Sequence, residues 1–352
     1  MASSNERQSN FELFRIVATL LILIVHCNGW FLSQWGGVTT WAGGKGAGVG
    51  LCRAYIQSFS CIGVNCFVLL SGYFSIKPRL KSIVNLFTTL AFFYVGTYAL
   101  GCLLDKWYFS WNGFLTNVLA FSRENWFIQC YLFLMLLSPI LNAFVERVKG
   151  KSLLLYIGFF MLCEFYFSCV RPSRYFYFNN GYSITHFVLI YLIGRYLCLY
   201  GVERLKNLRT VWLWVAFLCL TTLMVVFRSM SLDELRWLSY SSPLLIVSSA
   251  VLLLIFSRIK CQNKVVNYIA KSSLAVYIFH TCGPIINWFA AMDVRIFQSM
   301  PYSIYLLQMG CVILGVFLVA IMLDKVRLLL CKPIFIVVNR LDSRVKQWKT
   351  SL

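Results

Sequence analysis

The chain has 352 residues, 60% hydrophobic, 17% aromatic and only 12% charged, and its 32 Lys and Arg against 12 Asp and Glu give a net charge of +20. A soluble domain carries about twice that charged fraction, so the basic excess reads as membrane topology rather than as a nucleic-acid surface. The apolar runs are continuous rather than alternating, which argues against a transmembrane barrel. Fourteen cysteines without a CxxC, and three histidines without a Cys/His cluster, leave no zinc site and no metal to expect.

Ten helices are predicted, at about 11–30, 52–76, 82–104, 125–145, 152–170, 184–201, 210–228, 238–257, 272–292 and 302–324, each a run near the length that spans a hydrocarbon core. The expected fold is all-α, a polytopic transmembrane bundle forming one domain over 1–352, with core spans over about 11–324 and a tail over about 325–352. The polar start lacks a basic n-region and a cleavage site, so the first span is expected to be retained. With the N-terminus inside, 22 Lys and Arg fall on the cytoplasmic side and 9 on the other, Arg15 being the remaining one of 32. Both termini are therefore expected in the cytoplasm.

The first span carries Arg15 and His26, eleven residues apart. Three helical turns are about 10.8 residues, so both side chains share one face, about 16 Å apart along the axis. Glu12, one turn before Arg15, can pair with it. Two readings stand: the pair lines a polar cavity, or Arg15 snorkels to one interface while His26 sits at the other. The following "GGKGAGVG" (43–50) matches no phosphate-loop pattern and reads as a flexible outer loop. In the second span, Ser71-Gly72 is either a nucleophile with a small neighbour or, as favoured here, a close helix contact. The "KPRLK" segment after it, with Lys77, Arg79 and Lys81, is either a positive-inside loop or a phosphate cradle. Glu164 is the acidic residue deep in the fifth span, open to pairing with Arg171 or Arg174 or to lining a cavity. His186 is expected at the outer end of the sixth span, as an interfacial residue. His280 falls near the middle of the ninth, with Tyr277 one turn earlier as its expected hydrogen-bond partner.

"FELFRIVATLLILIVH", with Arg15, ten residues and then His26, resembles the first helix of the acyltransferase 3 family, membrane-integral enzymes that O-acylate surface sugars. "IGVNCFVLLSGYF" (62–74), "NWFIQCYLFLMLLSPILN" (125–142) and "SSLAVYIFH" (272–280) resemble later family segments in the same order. Two departures stand out. Many members have Asp where this chain has Asn65, and an Arg-x-x-Arg pair where it has "KPRLK".

The resemblance implies transfer of an acyl group, expected to be acetyl, from cytoplasmic acyl-CoA as a donor substrate rather than a resident cofactor. The acceptor is a sugar hydroxyl of an exported polysaccharide or its lipid-linked precursor. It places the chain, among lipids, in a bacterial inner membrane, with no nucleic-acid partner. His26 is the expected base, titrating near neutrality, or a covalent carrier of the acyl group. Arg15 is expected to orient the coenzyme, and Arg79, Lys81 and Ser71 to lie near it. Glu164, Tyr277 and His280 are expected on the acceptor side. The alternative is a transporter or flippase for a lipid-linked sugar, against which stand the absence of a repeat and the ordered motifs.

Overall fold

In a hydrocarbon slab a backbone amide has to find its partner within its own segment, so apolar sequence of this kind folds as helix. The computed structural model describes residues 8–104, 108–119, 126–171, 178–230 and 238–350, and among them there are helices and no strand. In chain order these are α1 (Ser9–Gln34), α2 (Ala47–Ser60), α3 (Gly63–Tyr73), α4 (Leu80–Leu103), α5 (Trp111–Leu119), α6 (Trp126–Arg147), α7 (Gly150–Val170) and α8 (Ile184–Arg204). There follow α9 (Thr210–Met230), α10 (Pro243–Ser257), α11 (Lys264–Ala270), α12 (Ser273–His280), α13 (Gly283–Ser299), α14 (Tyr302–Leu330) and α15 (Lys332–Thr350). Eight described helices are long and apolar enough to cross a bilayer, α2 and α3 counting as one, and a bent pair brings the number to nine.

Each of the ten predicted segments is helical, and three of them differ in shape from the expectation. The ninth is not one rod: the axis turns by 82° between Lys264–His280 and Gly283–Ser299. Pro284 in the first turn of α13 has no N–H to continue the preceding helix, and Gly283 opens the new one. Span α10 is only 15 residues long, with Pro243 at its start. The last span runs on to Leu330, and the expected tail contains a further helix, α15, packed on α4. The glycine-rich stretch is half loop, since Gly43, Gly44 and Gly46 have positive φ whereas residues 47–50 already belong to α2.

The centre of the bundle is α1, which packs on α2, α3, α11 and α12. The tightest crossing joins α3 and α8. A Cβ on Gly72 would lie 2.2 Å from the Tyr191 carbonyl oxygen, and one on Gly194 would lie 2.3 Å from that of Leu69. Backbone meets backbone here, as small residues permit inside a membrane bundle, which is the packing reading of Ser71-Gly72. Large apolar side chains such as Leu136, Leu155, Phe159 and Leu307 face outward, as a lipid-facing surface requires.

Candidate active site

At the N-terminal end of α1, Arg15 Nη1 donates to Glu12 Oε2 at 2.7 Å, with side chains 30% and 11% exposed. The one-turn pairing expected from the sequence is therefore formed. Phe11 packs on the rings of Tyr73 and Phe74, at 4.7 and 5.1 Å between centroids. Arg15 thus shares an end of the bundle with the segment carrying Lys77, Arg79 and Lys81, all exposed. That segment is tied down from two helices. Tyr191 Oη and Ser75 Oγ donate to Asn142 Oδ1 at 2.7 and 3.1 Å, and Asn142 Nδ2 donates to the Ile76 carbonyl at 3.1 Å. Ser71 Oγ donates to the Phe67 carbonyl at 3.0 Å, a bond within its own helix.

His26 opens a π turn over His26–Phe31, a geometry that is rare and concentrated at functional sites. Its ring is half-buried, edge-on to Trp30 at 5.0 Å and beside Phe31 at 5.9 Å. His26 Nδ1 lies 3.0 Å from Nε2 of His280, which is fully buried. His280 is the last residue of α12, at the 82° break rather than mid-helix, and its Nδ1 lies 3.1 Å from the Val276 carbonyl oxygen. A carbonyl only accepts, so His280 carries its proton on Nδ1 and presents the Nε2 lone pair. His26 must then donate from Nδ1, which leaves the lone pair on His26 Nε2. The partner of His280 is accordingly His26 and not Tyr277. Tyr277 instead packs edge-on to the His280 ring at 5.6 Å and against Phe127 at 4.8 Å.

A second network lies in α3, α7 and α8. His186 Nδ1 is 2.8 Å from Glu164 Oε1 and its Nε2 is 2.8 Å from Asn65 Oδ1, with all three residues fully buried. Asn65 Nδ2 donates to the Tyr240 carbonyl at 3.2 Å, which fixes Oδ1 as the acceptor and His186 Nε2 as a donor. One proton remains between His186 Nδ1 and Glu164, so the pair is neutral overall wherever that proton sits. His186 stands in the first turn of α8, at the end of its span as expected, and its side chain is sealed inside the bundle. Of the two roles left open for Glu164, a partner is now given, and it is His186 rather than Arg171; Arg174 lies outside the described residues.

Sequence reasoning missed the meeting of His26 with His280, which are 254 residues apart, and the burial of Asp293, Asp324, Arg53 and Arg327. Arg327 could have been suspected from Asp324 one turn earlier: its Nε donates to Asp324 Oδ1 at 2.8 Å, and its two terminal nitrogens reach Thr88 and Asn85 of α4. Among the described residues no group of three His, Cys, Asp or Glu side chains is placed to hold a metal ion.

No curated protein and no solved structure matches the chain. A family model does: that of the acyltransferase 3 family, described as an acyltransferase domain, matches residues 8–325. With nearly its whole length covered and at least eight helices able to cross a bilayer, the chain belongs to the acyltransferase 3 family and is a multi-pass membrane protein.

Proposed function

We propose that the protein transfers an acetyl group from acetyl-CoA to a sugar hydroxyl of an exported or surface polysaccharide, or of its lipid-linked precursor, with His26 as the general base. The observation that carries this reading is the His26–His280 contact. A base needs a free lone pair on a ring held in one tautomer, and the chain of bonds from the Val276 carbonyl through His280 leaves that lone pair on His26 Nε2. The acceptor hydroxyl gives its proton to Nε2 as its oxygen attacks the thioester carbonyl. The tetrahedral intermediate collapses with release of the coenzyme A thiolate, and the proton on Nε2 returns to the sulfur. While His26 is doubly protonated, its Nδ1–H bond to the neutral His280 becomes charge-assisted and strengthens.

Arg15, Lys77, Arg79 and Lys81 stand at one end of the bundle, where cationic donors suit the phosphates of the coenzyme. The positive-inside asymmetry supports a cytoplasmic position for that end, in a bacterial inner membrane. His26 lies about 16 Å further along α1, so the thioester arm has to reach inward along the α1 face.

The 82° break beside His280 also suits the alternative, a carrier of lipid-linked sugar, because broken helices line transport sites. One experiment separates the two. Acetyl ester and total polysaccharide are measured on the envelope of cells carrying wild type, His26→Ala, Arg15→Ala or no copy, at equal membrane levels. Loss of ester with export intact supports acyl transfer. Loss of export, or ester indifferent to the protein, overturns it.

A further inference from the structure

The geometry points to Arg53 as a positioning residue for His26, acting through Asn28. This rests on the reading of His26 as the base, although its central test does not require activity. Arg53 stands in α2, and only 2% of it is exposed. Its Nη2 donates to the Asn28 carbonyl at 2.8 Å, and the Asn28 side-chain amide donates back to the Arg53 carbonyl at 2.9 Å and to Gln57 Oε1 at 2.9 Å. Asn28 is two residues beyond His26, within the same π turn. The next residue is packed as closely: a Cβ on Gly29 would meet Gln57 Nε2 at 2.8 Å. Arg53 and Gln57 therefore grip the π turn just past the histidine, on backbone and side chain together.

A π turn widens the coil and takes its carbonyls off the ordinary register, so it persists where surrounding groups hold it. The rotation of the chain at residues 26–31 sets where the His26 ring points, and a bond to His280 at 3.0 Å tolerates little rotation. The other guanidinium nitrogen, Nη1, donates to the Trp41 carbonyl at 2.9 Å and the Thr40 carbonyl at 3.3 Å. The same group thus fastens the loop after α1, so that the π turn and the loop that follows it are held from one point. The guanidinium also lies over the rings of Trp41 and Phe297, at 5.3 and 5.0 Å from their centroids. A flat fork with donors on two sides serves both strands of chain at once; a lysine ammonium, a single point, cannot span them.

The chain has only three histidines, so 15N-histidine labelling of the whole protein in lipid gives three ring systems, assigned by His→Gln variants. Solid-state NMR then reads the tautomer and hydrogen bonding of each ring directly. In Arg53→Met the His26 signals are expected to spread over both tautomers and lose the Nδ1–H bond to His280, while those of His186, in its separate network, stay in place. Unchanged His26 signals overturn the proposal. Changes at all three rings mean loss of fold, and Asn28→Ala then decides, because it removes the return bonds and leaves the guanidinium in place. A change at His26 and its partner His280 in that variant, with His186 unmoved, supports the proposal, and no change at His26 refutes it. In membranes containing endogenous acceptor and labelled acetyl-CoA, Arg53→Met is expected to lower kcat by about 10–100-fold, the cost of a misplaced group, with KM for acetyl-CoA within about twofold and no rescue by Arg53→Lys. Absence of ester with the wild type would fail the acyl-transfer reading alone, and the NMR result would still judge Arg53.

Discussion

Replacing His280 by phenylalanine isolates what the second imidazole does for the first. The ring volume is nearly kept, so the buried site between α1 and α12 stays filled, but the acceptor 3.0 Å from His26 Nδ1 disappears. An ordinary hydrogen bond contributes about 0.5–1.5 kcal/mol net, and one to a charged group about 1.5–3 kcal/mol. On the proposed mechanism His26 carries a positive charge only after it has taken the proton, so the larger value applies near the transition state and the smaller one to the bound complex. The bound complex already holds the neutral bond, so kcat loses only the difference, about 1–1.5 kcal/mol, which at about 1.4 kcal/mol per decade is about 5- to 12-fold. His26→Ala, which deletes the proposed base, is expected to lose about 10²–10⁴-fold. The assay is the initial rate of labelled ester formation from acetyl-CoA in membranes, normalised to the amount of folded protein. His280→Gln, whose side-chain oxygen can accept the same bond, is expected to fall between wild type and His280→Phe. A His280→Phe rate within about threefold of wild type refutes the tautomer argument.

Gly72→Ala pushes a methyl group onto the Tyr191 carbonyl oxygen at 2.2 Å; a loss of about 1–3 kcal/mol is expected from overpacking, read as a lower melting temperature in detergent, and an unchanged melt contradicts it. Glu164→Ala leaves the fully buried His186 Nδ1 without its partner. It is expected to destabilise by about 3–5 kcal/mol, whereas Glu164→Gln, which can donate to a neutral imidazole, is expected to keep most of the fold; equal recovery of both from the membrane would remove the proton-sharing account. Asn142→Leu frees the Ser75–Ile76 backbone from α6. Its expected effect is a rise of about 2- to 10-fold in KM for acetyl-CoA, one ordinary hydrogen bond's worth, with little change in kcat. A kcat effect with KM unmoved would detach that segment from donor binding.

The helices themselves were plain from the sequence, because a lipid-spanning segment has to be apolar along its length and nothing distant alters that demand. Arg15 with Glu12 was equally legible, being a contact within one turn. His280 was recognised as a residue that needs a partner, but the nearest candidate in sequence, Tyr277, was the wrong one. Burial in a bundle pairs residues by the packing of helices, and no local periodicity relates residue 26 to residue 280. The same holds for His186, which sequence position alone sets near an interface; only the packing of α3 and α7 against α8 shows it enclosed between Asn65 and Glu164. Arg53 is one of the nine Lys and Arg that the charge count places on the outer side. Its burial follows from folding the 40–41 backbone over it, which composition does not reveal.

The backbone contact between Gly72 and Gly194 has a mechanical consequence. Two helices whose main chains touch cannot slide or tilt without forcing carbonyl oxygens into one another, so α3 and α8 move as a single block. An opening for the proposed acceptor must then be taken up elsewhere, and the break at residues 281–282 is a joint beside His26 and His280. A swing of α12 there would carry His280 with it and break its bond to His26. On the proposed mechanism His26 would then hold the required tautomer only while the joint is closed, so that acceptor entry and readiness to react would become one motion.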